Sequence, residues 1–214
     1  MKRIGLFGGT FDPIHLGHLW LARLAILEGR LDRLYFLPAF APPHKEGRMI
    51  TDFQERVEMV RIALVGEEKM TVCLVEEQLP PPSYTIKTLR HLAAGDLADG
   101  EIFFIIGADS LLDLPNWRDY EEILATTHII VAARRGCGDL AAMAGMARRL
   151  GYRLTDGRWL CPGKKEIFFL SGQLPTISSS ALRALLQRGR VEEAAAFLPV
   201  GLAAWLRERR LYRY

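Results

Sequence analysis

The stretch GGTFDPIHLGH, residues 8–18, decides how this chain is expected to fold. An apolar run at residues 4–7 precedes it, as in a buried strand, and an apolar helical pattern follows at about residues 19–27. A strand, a glycine turn and a helix in this order bring backbone N–H groups and a helix N-terminus to a phosphate. His15 and His18 stand where the helix begins, so we expect their imidazoles to join the same anion site. The stretch therefore predicts a binding site for a nucleoside triphosphate.

Strand and helix patterns alternate along the rest of the chain. Strands are predicted at residues 2–7, 33–37, 71–75, 102–106, 129–132 and 167–170. Helices are predicted at residues 16–28, 52–64, 84–94, 120–125, 140–150 and 179–187, with a closing pair at about 192–197 and 201–210. The alternation predicts an α/β fold, a doubly wound, Rossmann-like parallel sheet with helices on both faces.

The length of 214 residues predicts one domain, residues 1–214, whose small C-terminal helical part covers about residues 178–214. Residues 151–165 fit either a hairpin or a lid. Thr51 followed by Gln54 fits a capping box at the start of the second helix.

The composition indicates a folded protein without a membrane span. Of all residues, 50% are hydrophobic and 25% are charged, proportions typical of a globular protein. No apolar run approaches the roughly 18 residues of a transmembrane helix, and the first one is too short for a signal peptide. The net charge of +3 is too small to indicate a nucleic-acid partner. Cys73, Cys137 and Cys161 lack metal-ligand spacing, so we expect reduced thiols in a cytoplasmic protein.

GGTFDPIHLGH resembles the HxGH signature of the nucleotidyltransferase superfamily, and its GGTFDP part resembles bacterial nicotinate-nucleotide adenylyltransferases. It is neither a P-loop, since Gly-Lys-Ser/Thr is absent, nor a GxGxxG fingerprint. The resemblance implies that His15 and His18 contact the phosphates of ATP during catalysis. It also implies an ATP-binding loop made of Gly8, Gly9, Thr10 and Phe11.

Two later segments resemble further parts of the ATP site of that family. ISSSALR, residues 177–183, resembles ISSTxIR, which implies that Ser178, Ser179 and Arg183 hold the triphosphate, with Arg183 in the catalytic set. Read without the resemblance, the serines are an ordinary helix N-cap.

Gly107-Ala108-Asp109 resembles the GAD segment of the family, which implies contacts from Gly107 and Asp109 to the nucleotide. The alternative is a plain strand-to-helix turn in which Asp109 is the cap.

The acceptor site is implied by two more segments. PSYTIKTL, residues 82–89, resembles PSYTIDTL, and LPNW, residues 114–117, resembles LxxW. A nicotinate ring needs an aromatic face, which Trp117 offers, and its carboxylate needs donors such as the N–H groups near Thr85. Trp117 as a core residue is the competing interpretation. Lys87 replaces the usual Asp, which inverts a charge.

PPHK, residues 42–45, and VAARRG, residues 131–136, resemble two loops of the family. They imply that His44, Lys45 and Arg134 contact nicotinate mononucleotide. Arg135 stands where the family has proline, which leaves that backbone less restricted.

Taken together, the resemblance implies transfer of AMP from ATP to nicotinate mononucleotide, giving deamido-NAD and pyrophosphate. Mg²⁺ is expected to arrive with ATP rather than at a dedicated protein site. We expect these small molecules as partners, and neither nucleic acid nor membrane. A homo-oligomer is possible, and the sequence does not determine the oligomeric state. Another HxGH enzyme, such as phosphopantetheine adenylyltransferase, and a non-catalytic nucleotide sensor remain as alternatives.

Overall fold

The computed structural model describes residues 1–42, 49–133, 140–172 and 177–212. Its strands are β1 (Lys2–Gly9), β2 (Arg33–Pro38), β3 (Met70–Val72), β4 (Gly100–Gly107), β5 (His128–Ala132), β6 (Arg153–Thr155), β7 (Arg158–Leu160) and β8 (Ile167–Phe169). Its helices are α1 (Leu16–Glu28), α2 (Phe53–Ala63), α3 (Val75–Gln78), α4 (Thr85–Ala94), α5 (Ala108–Asp113), α6 (Tyr120–Thr126), α7 (Leu140–Arg149), α8 (Ser179–Gln187), α9 (Val191–Ala195) and α10 (Leu202–Glu208). A 3₁₀ turn, Leu114–Asn116, links α5 to α6.

Within the described residues the strands form one sheet in the order β3-β2-β1-β4-β5-β8-β7-β6. The six strands from β3 to β8 in this order are parallel, while β6 and β7 add an antiparallel hairpin. The chain runs outward in one direction from β1 through β3 and in the other from β4, so the switch point lies between β1 and β4. The predicted doubly wound α/β fold is confirmed, and residues 151–165 contain the hairpin rather than a lid.

Helices cover both faces of the sheet because the central strands are apolar on both sides. On β1, the side chain of Leu6 belongs to one hydrophobic cluster and that of Phe7 to the other. The cluster that contains Leu6 includes buried side chains of α4 to α7. The cluster that contains Phe7 includes buried side chains of α1, α2 and the C-terminal helices α8 to α10. Alternation of side chains along a strand places these two clusters on opposite faces. Every helix in the described ranges falls short of what crossing a bilayer requires.

The prediction of a strand at residues 71–75 is wrong at its C-terminal end. β3 ends at Val72, and Val75 begins the short helix α3. Among the residues that the structure describes, this strand pairs with β2 alone, and the N–H of Cys73 donates to Phe36 O at the end of this ladder. Pro38, the last residue of β2, has no N–H to continue the pairing.

Two further corrections concern helix starts. The cap of α2 is Asp52, not Thr51, because its Oδ1 accepts a hydrogen bond of 2.8 Å from the N–H of Gln54. Helix α5 was not among the predicted helices, and the alternative interpretation of the GAD segment, a helix start capped by Asp109, named the wrong cap. This helix follows β4 directly, with Gly107 as its N-cap residue, so that no turn residues separate the two elements.

Candidate active site

The loop between β1 and α1 is held in place by an aromatic ring buried beneath it. Phe11 is only 2% exposed and packs against Phe7 and Phe36, with ring centroids 5.5 and 5.4 Å away. A Cβ at Gly9 would lie 2.8 Å from the Phe11 ring, so this close turn requires glycine. The predicted contact of Phe11 with ATP is therefore restricted to its backbone, while Gly8, Gly9 and Thr10 line an adjacent cavity.

The two motif histidines form a stacked pair at the start of α1. The ring centroids of His15 and His18 lie 3.7 Å apart with 27° between their planes, and His15 is 1% exposed. The backbone N–H of His15 donates to Nδ1 of His18 at 3.1 Å. Because Nδ1 is the acceptor, a neutral His18 carries its proton on Nε2. His18 is thus oriented by the backbone to act as a hydrogen-bond donor through Nε2.

Gly17, between the histidines, allows Ile177, which precedes the N-cap of α8, to pack against this pair. A Cβ at position 17 would lie 3.0 Å from the His15 ring and 3.0 Å from Cγ2 of Ile177. Both neighbours are buried, so neither can move aside at low cost. The glycine of the motif therefore has a packing role that the sequence pattern alone does not explain.

The N-terminus of α8 lies directly against the same loop. The Ser179 hydroxyl donates to Pro13 O at 2.9 Å, and Nη1 of Arg183 donates to Asp12 O at 2.6 Å. Ser178 is the N-cap residue, and its Oγ accepts from the N–H of Ala181 at 3.2 Å. The positive end of the α8 dipole and the Arg183 guanidinium thus stand beside the histidine pair. The Ser179 hydroxyl already donates its hydrogen to Pro13 O, so a contact from Ser179 to ATP would come from its backbone N–H or from a rearranged hydroxyl. Ser178 only accepts through Oγ, and its O–H can still donate to ATP.

A buried polar cluster around Asp12 also supports the loop. Asp12 is 3% exposed, and its Oδ1 accepts a hydrogen bond of 2.6 Å from the Tyr212 hydroxyl. Arg56, which is 2% exposed, donates to Thr10 O and Thr51 O at 2.9 Å each. Burial lowers the pKa of the Arg56 guanidinium, and the nearby Asp12 carboxylate opposes that shift. Burial and the Asp12 charge both raise the pKa of Tyr212.

Sequence reasoning missed Arg56 and Tyr212 as supports of the site. Arg56 falls among charged residues of a predicted amphipathic helix, where an arginine is usually solvated. Tyr212 lies about 200 positions from its partner. The one available indication was the buried side of α2, since Arg56 shares a helix face with Met59 and Val60.

Gly107 and Asp109 lie at the same edge of the sheet as the loop. Phe7 of β1 pairs with Ile105 of β4, and this register brings Gly9 level with Gly107. A Cβ at Gly107 would collide with Oδ1 of Asp109, whose exposed carboxylate folds back over the turn. The motif loop and the GAD segment therefore face the same space across the switch point of the sheet.

A cavity of about 320 Å³ opens beside the loop at this edge. It is lined by Gly8, Gly9 and Thr10 of the loop, by Tyr84 and Thr85 at the start of α4, and by Trp117. Trp117 is half-buried, and its Nε1 donates to Oδ2 of Asp113 at 3.3 Å. One cavity therefore joins the predicted phosphate loop to the predicted acceptor residues.

Comparison with known proteins identifies the family. The cytidylyltransferase-like family model matches residues 6–185. A probable nicotinate-nucleotide adenylyltransferase from Desulfotalea psychrophila is 33% identical, over 99% of this chain and 100% of that protein. A protein of the same name from Geotalea daltonii is 36% identical, over 98% of each. This chain belongs to the nicotinate-nucleotide adenylyltransferase family.

The fold of this family member is also found in a solved structure of low sequence identity. A Plasmodium falciparum nicotinic acid mononucleotide adenylyltransferase complexed with NaAD matches with a TM-score of 0.76 and 18% identity. The match covers 99% of this chain and 98% of the other. At this identity the similarity concerns the fold.

Two cations flank Tyr84 at the start of α4 in this member of the nicotinate-nucleotide adenylyltransferase family. The Arg118 guanidinium lies 5.1 Å from the ring centroid of Tyr84, and Nζ of Lys87 lies 5.4 Å from it. Nζ of Lys87 also donates to Pro80 O at 3.1 Å. The lysine that replaces the family aspartate therefore has local partners, and Arg118 lines the cavity.

His44, Lys45, Arg134 and Arg135 lie outside the described residues. Over the part of the chain that the structure describes, no group of three or more His, Cys, Asp or Glu side chains is arranged to hold a metal ion.

Proposed function

We propose that this protein transfers AMP from ATP to nicotinate mononucleotide, which yields deamido-NAD and pyrophosphate. The observation that carries the proposal is the single cavity, because it connects Gly8, Gly9 and Thr10 with Thr85 and Trp117. A donor and an acceptor nucleotide bound on its two sides would meet at the phosphate loop. Relatives that share 33% and 36% of their residues over the full length carry the name of this enzyme.

On the ATP side, the proposed contacts are electrostatic. Nε2 of His18, the N-terminus of α8 and Arg183 can each direct a donor or positive charge at the triphosphate. Arg183 would exchange its bond to Asp12 O for a phosphate oxygen. Gly107 and Asp109 are proposed to contact the ribose or adenine of ATP, since they face the loop across the switch point.

The reaction that we propose is an in-line displacement at the α-phosphorus of ATP. A phosphate oxygen of nicotinate mononucleotide forms the new P–O bond, while the bond from the α-phosphorus to the bridging oxygen breaks and pyrophosphate leaves. The protein contributes alignment and stabilisation of charge on the oxygens, which are the main sources of rate enhancement in such transfers. His18 as a donor through Nε2 suits this task, and no base is required of it. We expect MgATP as the substrate, with the metal ion carried by the triphosphate.

On the acceptor side, the cavity is large enough for a pyridine ring with its ribose. The face of Trp117 is proposed to stack on the electron-poor nicotinate ring. The N-terminus of α4 at Thr85 is proposed to bind the nicotinate carboxylate, and Arg118 adds a positive charge at the same wall. His44, Lys45 and Arg134 remain predicted acceptor contacts, and the cytoplasmic location also remains a prediction.

The proposed function is tested by pyrophosphate release with MgATP and three acceptors offered separately. These are nicotinate mononucleotide, nicotinamide mononucleotide and phosphopantetheine. We expect kcat/KM for nicotinate mononucleotide to exceed the other two by about 100-fold, the scale on which charge-specific pockets discriminate. Preference for phosphopantetheine would assign the protein to a different acceptor, and ATP binding without any turnover would indicate a nucleotide sensor.

A further inference from the structure

The acceptor cavity contains a buried carboxylate that the proposed function does not yet use. Glu76 of α3 lines the cavity and is only 7% exposed. Its Oε1 accepts a hydrogen bond of 2.6 Å from the hydroxyl of Thr88, which lines the same cavity. Its Oε2 is buried and has no hydrogen-bond partner among the residues that the structure describes.

A buried carboxylate oxygen without a partner is energetically unfavourable, because it has lost its hydrogen bonds to water and forms none with the protein. No salt bridge within the described ranges involves Glu76. Ser83 lines the same cavity, and its hydroxyl accepts from the N–H of Ala41 but does not donate to Glu76 in the structure. The position of Glu76 at a cavity wall therefore points to a donor supplied by the bound ligand.

The chemistry of the acceptor restricts which group that donor can be. In nicotinate mononucleotide the ring carboxylate and the phosphate accept hydrogen bonds, whereas only the ribose 2′- and 3′-hydroxyls donate. We propose that Glu76 is a specificity-determining residue whose carboxylate accepts a hydrogen bond from a ribose hydroxyl of the acceptor nucleotide. The inference rests on the proposed function, since it takes nicotinate mononucleotide as the ligand.

The opposite orientation, with Glu76 next to the pyridine substituent, predicts a different selectivity. Two carboxylates would then face each other in an enclosed cavity, where like charges repel strongly. The carboxamide of nicotinamide mononucleotide, in contrast, could donate to Glu76. A ribose contact is compatible with the acceptor proposed above, and a contact to the ring substituent is not.

The test combines Glu76→Gln with acceptor analogues that lack one hydroxyl. Calorimetry without ATP measures the Kd of nicotinate mononucleotide and of its 2′-deoxy and 3′-deoxy analogues. For the unaltered protein we expect one analogue to bind about 10- to 100-fold more weakly, the scale of a hydrogen bond to a charged group. In Glu76→Gln this penalty should fall to about 3-fold or less. The parent and its analogues carry the same charge, so the comparison cancels the effect of removing a negative charge from the cavity.

The matched control is Glu77→Gln, which removes the same charge one position along the chain. Glu77 is exposed, and its Oε1 accepts from Nε2 of Gln54 rather than lining the cavity. The deoxy penalty should persist in this variant. A urea unfolding curve for each variant establishes that both are folded before binding is measured.

Four results would overturn the inference. Equal deoxy penalties in Glu76→Gln and the unaltered protein, or the absence of any penalty, would show that no ribose hydroxyl contacts Glu76. A change in the preference for nicotinate over nicotinamide mononucleotide, with the deoxy penalty intact, would place Glu76 next to the ring. Failure of the unaltered protein to adenylylate nicotinate mononucleotide would reject the proposed function itself, independently of any variant.

Discussion

The hydroxyl of Tyr212 donates a hydrogen bond of 2.6 Å to Oδ1 of Asp12, which stands 200 positions earlier in the chain. Asp12 belongs to the loop between β1 and α1, and its backbone oxygen accepts from Arg183. One aspartate therefore connects the last described turn of the chain with the N-terminal region of α8 and with the motif loop. The geometry of the candidate phosphate site depends on contacts that are brought together only by the complete fold.

Tyr212→Phe removes this hydrogen bond while it keeps the ring. We expect the free energy of unfolding to fall by about 1–3 kcal/mol, because the buried Asp12 carboxylate loses a donor. We also expect a lower kcat/KM, because the loop loses a support. Urea unfolding and pyrophosphate release measure the two effects. Tyr35→Phe on β2, whose ring packs against the hydrophobic cluster on the other face of the sheet from Tyr212, is the control. Equal stability losses in both variants would contradict the assigned role.

His18→Ala should lower kcat by at least about 100-fold, the effect of losing one donor to transition-state charge. His18→Asn separates catalysis from structure. The asparagine Oδ1 can still accept from the N–H of His15, as Nδ1 does, but no group replaces the Nε2 donor. The Asn variant should therefore be as stable as the unaltered protein and as inactive as the Ala variant. Near-normal turnover in either folded variant would remove His18 from the catalytic set.

Trp117→Ala should raise the KM for the acceptor about 10-fold or more, with a smaller change in the KM for ATP. The reason is that Trp117 lines the cavity and is proposed to stack on the nicotinate ring. Steady-state kinetics with each substrate varied in turn give both constants. Trp20→Ala on α1, where the indole is 51% exposed, serves as the control. An equal rise in both KM values would indicate that Trp117 has a packing role and does not bind the acceptor specifically.

Gly17→Ala should destabilise the protein by about 1–3 kcal/mol and lower kcat, because the added methyl group overpacks the contact between His15 and Ile177. Gly145→Ala in α7 is the matched control. A Cβ at Gly145 meets nothing within 4 Å, so alanine should stabilise that helix by about 0.5–1 kcal/mol. Thermal unfolding and turnover of the two variants would separate the cost of overpacking at position 17 from the general effect of replacing a helical glycine with alanine. A Gly17→Ala variant that behaves like Gly145→Ala would contradict the packing role.

Stability should depend on pH through His128, at the opposite edge of the sheet. Burial lowers the pKa of His128, whose Nδ1 accepts from the N–H of Glu166. The Lys165 charge acts in the same direction as burial, while Glu101, 3.1 Å from Nε2, opposes it. The unfolded chain therefore binds a proton at a higher pH than the folded protein does. The stabilisation is fully present above about pH 6.5 and is lost as the pH falls toward the lowered pKa.

Urea unfolding between pH 5 and 8 measures this dependence. His128→Asn keeps an acceptor for the N–H of Glu166 and cannot titrate, so the slope of stability against pH should be smaller in this variant. His91→Gln, at an exposed position of α4, should leave the slope as it is. An unchanged slope in His128→Asn would show that other groups cause the acid sensitivity.

Local sequence patterns predicted much of the fold correctly. The helix at residues 16–28 has the predicted bounds, because an apolar run between a glycine turn and Gly29 leaves few alternatives. Two short helices, α3 and α5, were missed. They have four and six residues, too few for a 3.6-residue periodicity to be distinguished from the strand or turn beside them.

The sequence by itself determined the fold class, the family and the position of the motif loop between β1 and α1, since each of these depends on residues close together in the chain. Only the tertiary structure decided what surrounds that loop: Tyr212 on Asp12, Arg56 on Thr10 O, Ile177 above Gly17, and Glu76 in the acceptor cavity. These contacts connect α2, α3, the start of α8 and the C-terminal turn with one edge of the sheet, and that edge is itself formed by several strands. Their partners are set by sheet order and helix packing, and no local periodicity or spacing encodes either.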